Sequence, residues 1–388
     1  MKVVVSGMIG SFPVGGVLWD YGHYALGLER MGFEVYYLED TGGQAYNPAI
    51  GMYDDDCSYG VRFLQEELTR LSPTLGQRWH FRNVNGECFG MRPPELAQVM
   101  AEADLFLNVS GGTLLRDEYM TCPRKVLIDT DPGWNHFRNY PKWDTHPNWG
   151  GTHGYRAHDY FLTYAQRIGQ PDCVIPSLGL PWQPTRPLVV MDCWQPEPPG
   201  EKWTTVMAVK SWSGLTDTVE YQGVKYSAKE TEFARIQELP RHTKAKLEVA
   251  AGGKAPREEW QQLGWSVVES QAKSITADDY RHYIQSSRGE FSVAKNVYVA
   301  TGSGWFSCRS ICYLAAGRPV VVQDTGFSKL LPVGRGLLTF SNLEEAAAAI
   351  HAVEANYNAH ADSARDVAAT YFDSGVVLEE IFKQVGLA

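Results

Sequence analysis

Several things are missing from this chain, and each absence narrows what it does. No apolar run approaches the length of a membrane span. There is no CxxC pair, and the seven cysteines (Cys57, Cys88, Cys122, Cys173, Cys193, Cys308 and Cys312) are scattered and odd in number. Cys308 and Cys312 would share a helix face, but no neighbouring His or Cys completes a metal set, so reduced thiols, a cytoplasmic location and no bound metal are expected. Lysine and arginine form no cluster, and the net charge is -10, which excludes general attraction to nucleic acid or anionic membrane while leaving room for a local basic pocket. Short-period repeats and low-complexity tracts are absent. No clean GxGxxG fingerprint follows the first strand, which argues against a dinucleotide oxidoreductase.

What is present is ordinary globular material, 388 residues with 44% hydrophobic and 21% charged, enough for two domains at roughly 150 residues each. The opening MKVVVSGMIGSFPVGG reads as a buried strand and a glycine-rich turn, not an export signal, because its apolar stretch is short and broken by Ser6 and Gly7. A helix from Val17 to Met31, closed by Gly32, and a strand at Phe33–Leu38 complete a βαβ unit. Strands are expected at Leu105–Val109, Lys125–Asp129, Tyr160–Tyr164 and Cys173–Pro176. A proline-rich connector, PWQPTRPLVVMDCWQPEPPG, then leads into a second alternating set that begins at Thr204–Val209 and runs to the helix at Leu343–Val353. The fold class expected is α/β, two Rossmann-like doubly wound domains across a cleft: residues 1–185, a linker at 186–199, residues 200–365, and a helical segment at 366–388.

The richest stretch is Thr301 to Phe327, TGSGWFSCRSICYLAAGRPVVVQDTGF. It reads as a small-residue turn opening a helix, a glycine ending it, a buried strand and a polar turn at that strand's carboxyl end. Backbone N–H groups of Ser303, Gly304 and Trp305 are expected to be free at the helix start, where the dipole favours an anion, with Arg309 in the first turn adding a charge-assisted bond. Asp129 and Asp131 close a strand at the edge where a cleft would lie. Asp20 and His23 sit on the first helix, and His136, His146, His153 and His158 fall in or beside an irregular aromatic loop with Trp134, Trp143 and Trp149. The Asp54–Asp56 run is expected to be a solvated loop or helix cap rather than a metal site.

The Gly302–Gly326 segment resembles the donor site of the GT-B glycosyltransferases, with its Gly/Ser turn, its small-residue helix ending AAGRPVVV and its polar turn. GSFPVGG followed by a helix and MGFEVYYLE is similar to that family's first βα unit. The resemblance implies that Ser303, Gly304, Trp305, Phe306 and Ser307 meet the diphosphate of a nucleoside diphosphate sugar, a co-substrate and not a tightly bound cofactor. It implies that Asp324, Thr325 and Gly326 lie near the hexose. Lys210 and Ser211, after the first strand of the second domain, become further diphosphate ligands, and Glu290 is expected to face ribose or solvent. Cys312 stands where many relatives carry a ribose-binding glutamate. For transfer to a hydroxyl-bearing small-molecule or glycan acceptor on the first domain, Asp131 is the first choice of proton acceptor and His23 the second. The rival readings are a GT-B epimerase or hydrolase and a non-catalytic sugar-nucleotide binder.

Overall fold

The computed structural model describes residues 1–146, 152–208 and 218–387. Two parallel sheets dominate it. The first, in spatial order, comprises Gln183–Pro184, Tyr160–Thr163, Lys125–Asp129, Leu105–Val109, Lys2–Ser6, Glu34–Glu39, Trp79–Arg82 and Cys88–Gly90. Only the last of these strands runs antiparallel. The second orders Ser266–Glu269, Lys246–Gly252, Lys202–Ala208, Gly289–Ser292, Val320–Gln323 and Leu337–Phe340, all parallel. Near-continuous apolar strands such as Val3–Val5, with no exposure, follow from helices covering both faces of a parallel sheet.

The sheets are joined tightly. The helix Gly15–Arg30 of the first half packs on Ala277–Gln285 of the second. A Cβ at Gly15 would overlap the Thr276 carbonyl oxygen, and one at Gly16 would lie 3.1 Å from the Tyr280 ring. Trp19 Nε1 donates to the Ala277 carbonyl at 3.0 Å. These two glycines serve close approach of the two halves. The linker is anchored by Trp194, fully buried beside Trp19. The helix Ser374–Gln384 returns to the first half, where Arg186 Nη2 bonds Glu380 at 2.6 Å and Phe33 meets Phe382 edge-on.

Cys173–Pro176, expected as a strand, is irregular. Cys173 and Ile175 are buried against Val297 and Tyr298 of the second half, and the Val174 N–H bonds the Thr301 carbonyl. The apolar pattern there records an inter-domain contact, not a place in a sheet. The run at Asp54–Asp56 accepts backbone N–H groups from Asp56 and Ser58, a capping arrangement ahead of the helix Ser58–Leu71. Among the described residues no helix is long and apolar enough to cross a membrane.

Candidate active site

Parallel strands of an open sheet leave their carboxyl ends at a common edge, and ligands bind there. Here the two edges face one another and enclose a cavity of about 350 Å³. From the first half it is lined by Val14, Gly16, Val17, Asp20, Thr130, Asp131 and Tyr164. From the second come Val206, Lys229, Ser274, Tyr280, Lys295, Tyr298, Trp305, Ser307, Cys308 and Arg309.

Lys229 opens the helix Lys229–Ala234. That helix is fixed from beneath by Glu232, fully buried, which accepts from Asn296 Nδ2 at 2.7 Å and Gln323 Nε2 at 2.6 Å. Burial, and then the neighbouring Arg309 and Lys295, push the Lys229 ammonium down to about 7. Among the described residues no carboxylate pairs with it. The other two cations are engaged. Arg309 Nε donates to Glu290 at 2.6 Å and Nη1 to the Val206 carbonyl at 2.7 Å, while Nη2 holds the Ser292 hydroxyl. Lys295 Nζ bonds Asp131 at 2.6 Å. Lys229 is therefore the cation most in want of an anion, and its position in the sequence, outside any motif, gave no sign of it.

On the opposite wall Asp20 reaches the cavity from the first helix, one turn beyond Gly16. Burial raises its carboxyl to about 6, with a hydrogen bond from the Cys308 side chain pulling the other way. A carboxyl in that range is ionised at neutral pH and more basic than an exposed one, which suits proton abstraction.

Among the residues predicted from sequence, the structure brings Asp131, Trp305, Ser307 and Arg309 to the cavity and takes others away. Asp131 is held by Lys295 and by the Tyr298 hydroxyl, so both its oxygens are committed across the domain boundary. His23 lies outside the cavity. It is 2% exposed, accepts from Trp194 Nε1 at 2.9 Å, and burial lowers it to about 3. It is a neutral core histidine that fixes the linker. Glu290 does not face solvent; it is fully buried beneath Arg309.

The amides expected to be free are not. Ser303 N–H bonds the Tyr298 carbonyl, Gly304 N–H the Thr325 carbonyl, and Trp305 N–H the Ser303 hydroxyl. The helix starts later than the small-residue turn suggests, at Cys308, with Ser307 as its cap accepting from Arg309 N–H. The glycines serve another purpose. Gly302, Gly304 and Gly326 all have positive φ and close on Arg167 of the first half: a Cβ at Gly304 would lie 2.6 Å from its Cγ, and one at Gly326 2.8 Å from its Nη1. Arg167 Nη1 in turn donates to the Gly302 carbonyl.

Phe306 is core, stacked on Phe372 at 5.0 Å. Asp324 accepts from Gly326 N–H and from Ser328, and the Thr325 hydroxyl bonds the Trp305 carbonyl. That turn closes on itself instead of reaching into the cavity. Lys210, Ser211 and Trp149 lie outside the described residues. Trp143 packs on Tyr140 and Tyr155 within its own loop, whereas Phe137 stacks on Tyr221 and Tyr226 of the second half.

Residues 233–374 match a family model described as glycosyl transferase-like. No curated protein sequence matches the chain. Among solved structures, HepE of Anabaena, in complex with UDP and glucose, is 11% identical, with all of both chains covered and a TM-score of 0.60. An alpha-glucosyltransferase in complex with UDP and a 13-mer DNA is 8% identical over 100% of this chain and 99% of its own, at a TM-score of 0.58. AviGT4, a glycosyltransferase involved in avilamycin A biosynthesis, is 12% identical over 100% and 97%, at 0.55. The architecture, two Rossmann-like domains over the whole chain, is that of the GT-B glycosyltransferases.

Proposed function

We propose that the protein is a glycosyltransferase that moves a sugar from a nucleoside diphosphate donor to an acceptor hydroxyl in the inter-domain cavity. The observation that carries this reading is the presence in one cavity of Lys229, partly neutralised and without a carboxylate partner among the described residues, on the second domain and a raised carboxyl, Asp20, on the first. The relatives crystallised with UDP support a nucleotide as ligand of this fold. In this reading residues 1–185 bind the acceptor and 200–365 the donor, 186–199 link them, and 366–388 return to the first domain. The chain's free thiols fit a cytoplasmic enzyme.

Lys229 and the charge of Arg309 take up the negative charge that gathers on the departing diphosphate, with the capped start of the helix Cys308–Ala315 behind them. Asp20 accepts the proton of the attacking hydroxyl as the new glycosidic bond forms and the bond to the diphosphate breaks. Asp131, with both oxygens engaged, holds Lys295 and Tyr298 in place across the domain boundary.

The test is nucleoside diphosphate release from a panel of sugar nucleotides, with and without acceptors. Asp20→Asn is expected to lower kcat by about 10²- to 10⁴-fold, the usual worth of a positioned base, with donor affinity nearly unchanged. Wild-type kcat/KM should fall below pH 6 as Asp20 takes up its proton. Release without any acceptor would favour the hydrolase. Full activity in the variant would remove Asp20 from the mechanism.

A further inference from the structure

Arg167 is a buried cation, 7% exposed, in the turn that follows the strand Tyr160–Thr163 of the first sheet. It does not line the reaction cavity, and its partners lie largely in the second domain. Its backbone N–H bonds the Ser303 carbonyl at 3.0 Å, and its Nη1 donates to the Gly302 carbonyl at 3.1 Å. Beside it, Gln166 Nε2 donates to the Gly304 carbonyl at 3.2 Å and the Val174 N–H to that of Thr301. Nη2 is held within the first domain by Asp172, which fixes the plane of the guanidinium. The second domain is shaped to admit this side chain. Gly302, Gly304 and Gly326 have positive φ, and side chains there would run into Arg167 or the Asp172 carbonyl.

The turn bearing Arg167 is tied to both walls of the cavity. Toward the first domain, Tyr164 lines the cavity and its hydroxyl lies 2.8 Å from that of Tyr24. Tyr24 stands one helical turn from Asp20 on the helix Gly15–Arg30. Toward the second domain, the segment that Arg167 grips runs directly into Trp305, Ser307 and Arg309, all of which line the cavity. Ser307 caps the helix that carries Arg309. Asp20 and Arg309, on different domains, are thereby referred to one turn.

We infer that Arg167 is a positioning residue, which sets the register of Asp20 against the diphosphate side of the cavity without touching substrate. The inference rests on the transferase reading given above. Lys229 and Arg309 both belong to the second domain, so nucleotide affinity does not depend on that register. Transfer does, because the proton acceptor and the leaving group stand on opposite walls and misplacement by about 1 Å costs on the order of 10²-fold. A lysine cannot replace the fork, since a single ammonium does not span the Gly302 carbonyl and Asp172 in the same fixed geometry. The outer pair, Lys329 Nζ to Asp172 at 2.6 Å, has both side chains more than half exposed and contributes little.

The test compares Arg167→Ala, Arg167→Lys and Lys329→Ala with the wild type by kcat for sugar transfer, by Kd for the nucleoside diphosphate and by amide hydrogen exchange. Arg167→Ala is expected to lower kcat about 10- to 100-fold and to leave Kd within about threefold. Exchange should quicken in 165–174 and 301–307 and stay unchanged in the cores of both sheets. Guanidinium ion, added well below denaturing concentration, should restore part of the lost kcat. Arg167→Lys should fall between Arg167→Ala and the wild type, and Lys329→Ala should match the wild type. Full kcat in Arg167→Ala would overturn the assignment. Equal losses in kcat and nucleotide affinity, or faster exchange throughout with no rescue by guanidinium, would overturn it too, by reducing Arg167 to a structural support. A wild type that transfers no sugar would bring down the transferase reading itself, while the exchange data, which need no substrate, would still decide whether Arg167 seats the two walls.

Discussion

Raising the pH from 7 to 9 is expected to weaken binding of a nucleoside diphosphate sugar by about fiftyfold, and Lys229 is the reason. Its ammonium is held down to about 7 from the ordinary 10.5 by burial, Arg309 and Lys295, so about half of the empty protein carries the proton at neutral pH. A diphosphate beside it favours the charged form and returns the group toward its ordinary range. Binding above pH 7 therefore requires proton uptake, which costs about a factor of ten per pH unit. Over two units, from half protonation, the loss is about fiftyfold, or ~2.3 kcal/mol. The sign separates this effect from unfolding. A lysine whose folded value is depressed leaves the unfolded chain holding more protons between pH 7 and 10.5, so this group makes the empty protein more stable across that window as pH rises.

Isothermal titration with an intact sugar nucleotide is the assay, because its phosphates lack the monoester group that titrates near pH 6. Lys229→Arg, which stays charged, should bind with no pH dependence. Lys229→Gln should be weaker and equally flat. A wild type that binds evenly from pH 7 to 9, or a Lys229→Arg variant with the wild-type slope, would refute the assignment.

Two further outcomes concern how the halves are held. Gly15→Ala should lower Tm and destabilise by about 1–3 kcal/mol, the usual cost of overpacking, because its methyl meets the Thr276 backbone. Unchanged thermal unfolding would mean the domains separate freely at that contact. His23, folded at about 3 against 6.5 ordinarily, leaves the unfolded chain with more protons between those values. It therefore removes up to about 1.4 kcal/mol for each pH unit below 6.5, and His23→Gln should flatten that part of the stability profile in denaturant titrations from pH 7 to 4.5.

The architecture was legible because parallel strands buried on both faces must be short apolar runs, and the helices between them must alternate with those runs. Val3–Val5, Leu105–Val109 and Val320–Val322 carry that pattern openly. Local rules also found the capping role of Asp54–Asp56 and the presence of Asp131 and Arg309 at the cleft. They failed where a residue's meaning depends on a partner far along the chain. Glycines at 302, 304 and 326 look the same whether they admit a phosphate or an arginine, and it is Arg167, more than 130 positions away from Gly302 and Gly304, that decides. His23 and Asp20 lie on the same helix three residues apart, yet packing against Trp194 makes one a core residue, while the cavity beside Cys308 gives the other a raised carboxyl.

The sequence by itself determined the fold class, most of the buried parallel strands and the cleft edge on which chemistry would sit, because periodicity and strand polarity are local properties. Only the tertiary structure decided which charges remain unpaired at that edge. Arg309 is matched by Glu290 and Lys295 by Asp131, and Lys229 stands without a carboxylate among the described residues. Pairing is a property of distances between separate segments, and no spacing within one segment encodes it.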